Sequence, residues 1–435
     1  MRVLLLTSEE WNDRTYGNNN MTNWFSGFED LEIAHVYCSA STPENRCCLK
    51  YFRFGDFEIM KSALPFSEKA EGKALIYDDF PKSEAVRVKS EKSKLPTFLR
   101  TETSRFLRDF AWKLARIDTD KLKNFLNDFS PDIVFTQRKA SLRILRIEKE
   151  IHKILPDTPF MVYTADDEYS LKQLYFSPNF WLHRLFVRSA LRKNVKFYDL
   201  YYTDAEVQAK EYEKLFSVDT AFLAKCGDFS KTVAHAKQNN PLIIVYAGKL
   251  YCRRWHTLEK IAKALNEVNK DSVRAVLHIY TQSEIKPRYK RWLDDKKNSY
   301  ILGRVSPEEL TAIYDRADIA LHIESFDLKN RLLTRYSFST KIMDCMNTGC
   351  AVMAVCHHTQ NGLQYLKKED AAITVDNTND LYGVLNRLCD NPSLVGEYAK
   401  KAIDCGKRNH QKEHVQKILL DDMKKLVQNK KRNSK

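Results

Sequence analysis

Arg335-Tyr336-Ser337-Phe338-Ser339-Thr340-Lys341-Ile342-Met343-Asp344-Cys345-Met346-Asn347-Thr348-Gly349-Cys350-Ala351-Val352 carries the most informative pattern in the chain. It reads as a polar loop, a helix opening near Thr340, a glycine stop at Gly349 and a buried strand beginning at Ala351. A short apolar run, 319–323, precedes it, so the order is strand, loop, helix, strand: the repeating unit of a parallel α/β sheet. Hydroxyls and free backbone N–H groups at a helix start attract anions. Ser337, Ser339 and Thr340 supply hydroxyls there, and Lys341 supplies positive charge. Asp344 falls one turn on, on the side of Thr340 and Lys341, where a carboxylate can accept two hydrogen bonds from a ribose diol.

Outward from this segment the same rhythm continues. Continuous apolar runs occur at 3–7, 31–37, 132–136, 160–163 and 200–203 in the first half, and at 242–247, 276–280, 299–302, 319–323 and 351–355 in the second. Runs that do not alternate predict strands covered on both faces, as in parallel sheets flanked by helices. Helical spacing appears over 258–268 and 307–316, the latter opened by Ser306, Pro307 and Glu309 in capping-box order. A polar stretch, 229–241, separates the two series and reads as a linker. The expected division is a first domain 1–230, a second domain 241–420 and a basic tail 421–435, frayed at its end. Residues 44–130 carry the weakest pattern, with a charged stretch, 82–94, expected to be an exposed loop.

Composition narrows the partners. The chain has 435 residues, 43% hydrophobic and 29% charged, which suits a globular protein of two domains, or three small ones. A net charge of +14 favours anionic partners: phosphate-bearing ligands, lipid head groups or nucleic acid. Ten cysteines with no C-x-x-C spacing fit a reducing cytoplasm and no zinc site. The apolar run after Met1 is too short for a secretory leader, and no run approaches the ~18 residues of a membrane span. Any membrane contact is therefore expected to be peripheral. Two segments, 98–116 and 179–193, mix aromatic and basic residues at helical spacing. Each is open to two readings: a core-facing stripe with a solvated face, or a basic-aromatic face for an anionic bilayer. No Walker loop, nucleophile elbow or dinucleotide fingerprint is present.

Two further sites carry chemistry. At the end of the run 242–247, Gly248 and Lys249 turn the chain and Arg254 follows. Two fixed cations there suit a ligand that carries or gathers negative charge; the bland reading is a strand followed by a charged helix start. After the run 160–163 come Asp166 and Asp167, at a strand's carboxyl end, where α/β sheets place ligands. Either carboxylate could orient or deprotonate a bound hydroxyl, or simply cap the next helix. His357 and His358 read as loop residues, not metal ligands.

The 335–352 segment resembles the donor-binding helix of GT-B glycosyltransferases, in particular the bacterial group allied to glycosyltransferase family 4, of capsular and exopolysaccharide type. The resemblance implies an α/β GT-B fold, two Rossmann-like domains with parallel sheets facing across a cleft, the first (1–230) on the acceptor side and the second (241–420) binding the nucleotide sugar. It implies that Asp344 holds the ribose and that Ser339 and Thr340 contact the donor phosphates. The position where the family pattern has an earlier acid is Tyr336, with Glu324 and Asp327 upstream as possible substitutes. The turn Tyr246 to Arg254 resembles the family's basic turn, which implies that Gly248, Lys249, Arg254 and Lys341 line the diphosphate. Gly17 and Asn18, in the loop after the first strand, take the place of a glycine-rich cleft loop. Residues 225–229 resemble the turn that closes the first domain. The function implied is transfer of a sugar from a nucleotide-sugar donor to a saccharide or polyprenyl-linked acceptor in cell-surface polysaccharide synthesis. Retention of configuration is expected, with no cofactor, no metal and no nucleic acid, at the cytoplasmic face of the membrane. Two other readings compete: a nucleotide-sugar epimerase of the same architecture, and a non-enzymatic basic nucleic-acid binder, for which no helix-turn-helix, RRM or zinc-finger signature exists.

Overall fold

The computed structural model describes residues 1–12, 19–39, 41–77, 102–235 and 238–433. Gly17, Asn18 and the charged stretch 82–94 lie outside the described residues, as does the start of the first basic-aromatic segment. The chain forms two units: Met1–Leu223 with Gln416–Lys435, and Ala224–Val415.

The first unit is built on an eight-stranded sheet. Its strands are β1 (Arg2–Thr7), β2 (Glu32–Tyr37), β3 (Lys50–Arg53), β5 (Lys73–Ile76), β7 (Ile133–Arg138), β8 (Phe160–Thr164), β9 (Leu200–Thr203) and β10 (Thr220–Phe222). Two short strands, β4 (Ala70–Glu71) and β6 (Ile117–Asp118), pair separately. The sheet order is β10-β9-β8-β7-β1-β2-β3-β5, parallel except for β3 with β5. The second unit carries six parallel strands: β11 (Leu242–Ala247), β12 (Ala275–Tyr280), β13 (Ser299–Gly303), β14 (Ile319–Ile323), β15 (Ala351–Val355) and β16 (Ile373–Val375). They run in the order β13-β12-β11-β14-β15-β16.

Both sheets are covered on both faces, which is why their central strands are continuous apolar runs. In the second unit, Leu242, Ile244 and Tyr246 pack with Leu258, Ile261 and Leu265 of the helix Arg254–Val268. Val245, one residue out of phase, packs with Ile342, Met343 and Met346 of the helix Thr340–Met346. The capping box at Ser306 forms, with the Ser306 hydroxyl accepting from Glu309 N–H and the Glu309 carboxylate accepting from Ser306 N–H.

The units divide at other positions than the sequence suggests. The stretch read as a linker is packed into the second unit. Phe229 is fully buried, and a Cβ at Gly406 would lie 2.2 Å from its ring. The Asp318 carboxylate accepts from Asn239 N–H at 2.8 Å and from Ile243 N–H at 2.7 Å. A polar sequence looks like a linker when its hydrogen-bond partners are distant in the chain. The expected basic tail is helix as far as Asn433, in Lys412–Asn433. From Gln416 onward this helix belongs to the first unit, where Gln416 donates to the carbonyls of Asn23 and Ser26, and Tyr202 donates to Asp422 at 2.5 Å.

The two basic-aromatic segments are helices Glu102–Leu114 and Pro178–Asn194. Helix Glu102–Leu114 buries Trp112 and Asp109. Helix Pro178–Asn194 directs its three arginines at positions 184, 188 and 192 onto the loop after β8. Arg184 donates to Asp167 O at 2.6 Å and to Gln173 at 2.9 Å; Arg188 lies 3.9 Å from the Tyr169 ring centre and donates to Tyr169 O; Arg192 donates to the Tyr169 hydroxyl at 2.5 Å. These three arginines, each four residues apart, are therefore clamps on the loop after β8 and not a free cationic rim.

Candidate functional site

In the second unit β11 has β12 on one side and β14 on the other, so the crossovers from the middle of the sheet leave in opposite directions. Such a switch point opens a crevice beyond the carboxyl ends of the two strands. The residues that sit there are Tyr246, Gly248, His322 and Glu324, joined by Arg254 and Lys341 from the helices that follow.

Gly248 leaves β11 at φ +154°, and a Cβ on it would lie 1.7 Å from Lys341 Nζ. Only a residue without a side chain lets the lysine pass this close. The Lys341 ammonium donates to the Tyr246 hydroxyl at 3.5 Å and lies 4.9 Å from the centre of that ring. The Tyr246 hydroxyl in turn donates to Lys249 O at 2.9 Å. Among the described residues no carboxylate forms an ion pair with Lys341. Burial, with the Arg254 charge adding, pushes its ammonium down to about 8.

Arg254 is fixed differently. Its Nε donates to Glu324 Oε2 at 3.1 Å and its Nη2 to Glu324 Oε1, a two-pronged pair with both side chains nearly buried. Glu324 is held from behind by Thr257, whose hydroxyl donates to Glu324 O at 2.8 Å. Burial opposes the charge on Arg254, but the adjacent carboxylate outweighs it and drives the guanidinium further above its ordinary range. Glu324 is thus committed to Arg254. His322, two residues before it on β14, is buried and pressed down to about 3 by burial, with the Arg254 and Lys341 charges adding. It is neutral at ordinary pH, and its Nδ1 has no partner among the described residues.

The other residues singled out from the sequence fall around this core. Lys249 is exposed on the turn after Gly248. Ser339 is the N-cap of the helix Thr340–Met346 but its hydroxyl makes no capping bond, and Thr340 is exposed. Asp344 is exposed, and its carboxylate accepts from Lys225 Nζ at 2.7 Å. Lys225 belongs to the turn read from sequence as the end of the first domain. Here that turn is part of the second unit, where a Cβ on Gly227 would lie 2.9 Å from Met343 Sδ and Asn347 donates to Asp228 O. The structure therefore brings Gly248, Arg254 and Lys341 together, with Glu324, Tyr246 and His322 as supports that spacing alone did not single out.

In the first unit Asp166 is exposed and Asp167 is buried. Both oxygens of Asp167 are engaged within its own turn: Oδ1 accepts from Ser170 N–H at 2.8 Å, and Oδ2 accepts from the Ser170 hydroxyl. Asp166 presents its carbonyl to Gln208, which donates at 3.0 Å. The next acid, Glu168, pairs with Arg138 at 2.6 Å in full burial and accepts from Thr164. Arg138 also donates to the Tyr198 hydroxyl at 2.9 Å, and Tyr198 to Glu148 at 2.5 Å. Burial pushes the Glu148 carboxyl up, toward its neutral form. Among the described residues no group of three or more His, Cys, Asp or Glu is placed to hold a metal ion, and no helix is long and apolar enough to cross a membrane.

Comparison with known proteins gives this geometry a context. Residues 253–421 match the family model described as Glycosyl transferase-like, a span that takes in Arg254, Glu324 and the helix Thr340–Met346. No curated protein sequence matches the chain. Among solved structures it is similar to the sucrose-phosphate synthase from Thermosynechococcus elongatus, with TM-score 0.60 and 12% identity over 99% of this chain and 100% of that one. It is also similar to Anabaena HepE in complex with UDP, with TM-score 0.58 and 9% identity over 98% and 100%. A third is WaaG, a glycosyltransferase involved in lipopolysaccharide biosynthesis, with TM-score 0.55 and 10% identity over 97% and 99%. The fold is that of GT-B glycosyltransferase structures, and the second unit is the part that matches the Glycosyl transferase-like family model.

Proposed function

We propose that the protein transfers a sugar from a nucleoside-diphosphate sugar bound in the second unit. The observation that carries this reading is Lys341, a half-buried ammonium pressed against Gly248 with no carboxylate of its own, beside a guanidinium already oriented by Glu324. Two adjacent cations, one uncompensated, favour a ligand with at least two negative charges. In the bound state the β-phosphate takes the place facing Lys341 and Arg254, and both stabilise the charge that grows on the leaving diphosphate. In this reading the cations supply the charge stabilisation and no metal ion takes part. Lys249 and the hydroxyls of Ser339 and Thr340 complete the phosphate contacts. Asp344 exchanges Lys225 for the ribose hydroxyls. Anabaena HepE, solved with UDP, makes a uridine nucleotide the first to test.

Acceptor chemistry belongs to the first unit, where Asp166 is the exposed carboxylate at the end of β8 and Asp167 shapes its turn. We infer a saccharide acceptor on a lipid carrier, in cell-surface polysaccharide synthesis of the family 4, capsular kind. Configuration is retained, and the work is done at the cytoplasmic membrane face. WaaG's part in lipopolysaccharide biosynthesis supports that direction. The test is calorimetry with UDP-, GDP- and ADP-hexoses on the wild type and on Lys341→Met. One nucleotide sugar should bind, and the variant should bind it at least tenfold more weakly. Equal affinity in both proteins removes the assigned donor site.

A further inference from the structure

The helix whose arginines are spent on the loop after β8 leaves its other side open. Phe176 is 93% exposed, and Leu171, Leu174, Leu182 and Leu185 are each between 39% and 54% exposed. All five lie within one continuous segment: the loop that follows Ser170, and the first half of Pro178–Asn194. Leu182 and Leu185 are three apart and share a face of the helix. Scattered apolar side chains on a surface are ordinary, but five in one run form a patch.

The charge of this segment is one-sided. No Asp or Glu occurs from Leu171 to Tyr198, and Lys172, Arg192, Lys193 and Lys196 are exposed in it. The neighbouring helix Glu102–Leu114 adds exposed Arg105, Lys113, Leu107 and Leu114. It is joined to the first by the Phe106 and Phe186 rings, stacked nearly parallel with centroids 6.2 Å apart, and Lys113 Nζ lies 4.0 Å from the Phe186 ring centre. Its one acid from Thr103 onward, Asp109, is buried and accepts from Leu142 N–H and pairs with His183.

We propose that the loop 171–177 and the outer side of Pro178–Asn194 form a docking surface for an anionic lipid bilayer. Phe176 and the leucines enter the head-group layer, and Lys172, Lys193 and Lys196 meet the phosphates. Apolar side chains rimmed by cations, in a segment whose own sequence carries no carboxylate, match such a surface in both polarity and sign. The arginine clamps contribute by making the loop rigid, so that Phe176 is presented without a large ordering penalty. The proposal rests on the reading that the acceptor is lipid-linked and names the surface that would bring the enzyme to it.

The experiment is flotation of the full chain with phosphatidylglycerol-containing vesicles and with pure phosphatidylcholine vesicles. Wild type should float with the first and not the second, and salt should release it. The double variant Phe176→Asp/Leu182→Asp should lose binding by at least about tenfold with an unchanged melting temperature, because both side chains are exposed. Phe57→Asp, an exposed residue outside the patch, should bind as wild type does. Failure of the wild type to float overturns the proposal, as does flotation of the double variant at the wild-type level. A wild-type dimer in sedimentation that the double variant breaks would assign the face to a second copy of this chain. Donor affinity, measured without vesicles, is independent of each of these outcomes, so the glycosyltransferase reading stands or falls separately.

Discussion

Replacing Lys341 by Met should stabilise the free protein and weaken its ligand, two effects of opposite sign from one buried charge. An ordinary lysine loses its proton near 10.5, and burial beside Arg254 brings Lys341 down to about 8. That difference corresponds to an upper figure of about 3 kcal/mol of unfavourable interaction in the charged form. The sign follows from proton counting. Between about 8 and 10.5 the unfolded chain still holds the lysine proton while the folded chain has released it, so stability rises with pH across that window. Below about 8 both states are protonated and the folded state carries the full penalty. Methionine keeps the unbranched apolar stem and removes the ammonium. The variant should therefore exceed the wild type by about 1–3 kcal/mol at pH 7, with the gap closing as pH rises toward 10.5. Chemical denaturation at four or five pH values measures it. Nucleotide-sugar affinity should move the other way, about 10- to 100-fold weaker at pH 7, because a charge-assisted phosphate contact of about 1.5–3 kcal/mol is lost. A gap that stays constant with pH, or a variant less stable than wild type at pH 7, would refute the argument from an uncompensated buried ammonium.

Glu324→Gln should lower stability by about 3–5 kcal/mol, because it leaves the Arg254 guanidinium buried without its carboxylate; urea midpoints test this, and an unchanged midpoint would show the pair to be dispensable. Gly248→Ala places a Cβ against the Lys341 ammonium on a backbone at φ +154°, so donor binding should fall with a loss of roughly 1–2 kcal/mol in stability, read by calorimetry and thermal melting together. Asp344→Ala and Lys249→Ala remove exposed side chains, so each should leave stability within about 0.5 kcal/mol while reducing nucleotide-sugar affinity. If neither changes that affinity, the ribose and diphosphate roles given to them are wrong.

Much of the scaffold was legible because its physics is local. A strand covered on both faces must be apolar along its length, and runs such as 242–247 and 351–355 become β11 and β15 with the same bounds. The shortest strands leave no such pattern. β3, Lys50–Arg53, is four residues with a charge at each end, and β16 is three residues, too few for any period to register. Gly248, Arg254 and Lys341 could be marked as chemistry-bearing from residue type and position at strand and helix ends. Asp167 could be marked in the same way, yet its oxygens are engaged by Ser170, three residues on.

Residue order and polarity, acting over one helix turn or one strand, determined by themselves the alternation of strands and helices, the parallel sheets and the places where cations gather near a glycine. Which charges stay available depended on partners distant in sequence: Glu324 takes Arg254 from 70 residues away, Lys225 meets Asp344 across 119, and Arg184 holds Asp167 across 17. Those pairings follow from which strands become neighbours, and a side chain's charge is compensated by what lies within a few ångströms, whatever its distance along the chain. Only the folded structure, for that reason, shows Lys341 with no ion-paired carboxylate among the described residues and turns the arginines of Pro178–Asn194 onto the loop after β8 while leaving Phe176 outside.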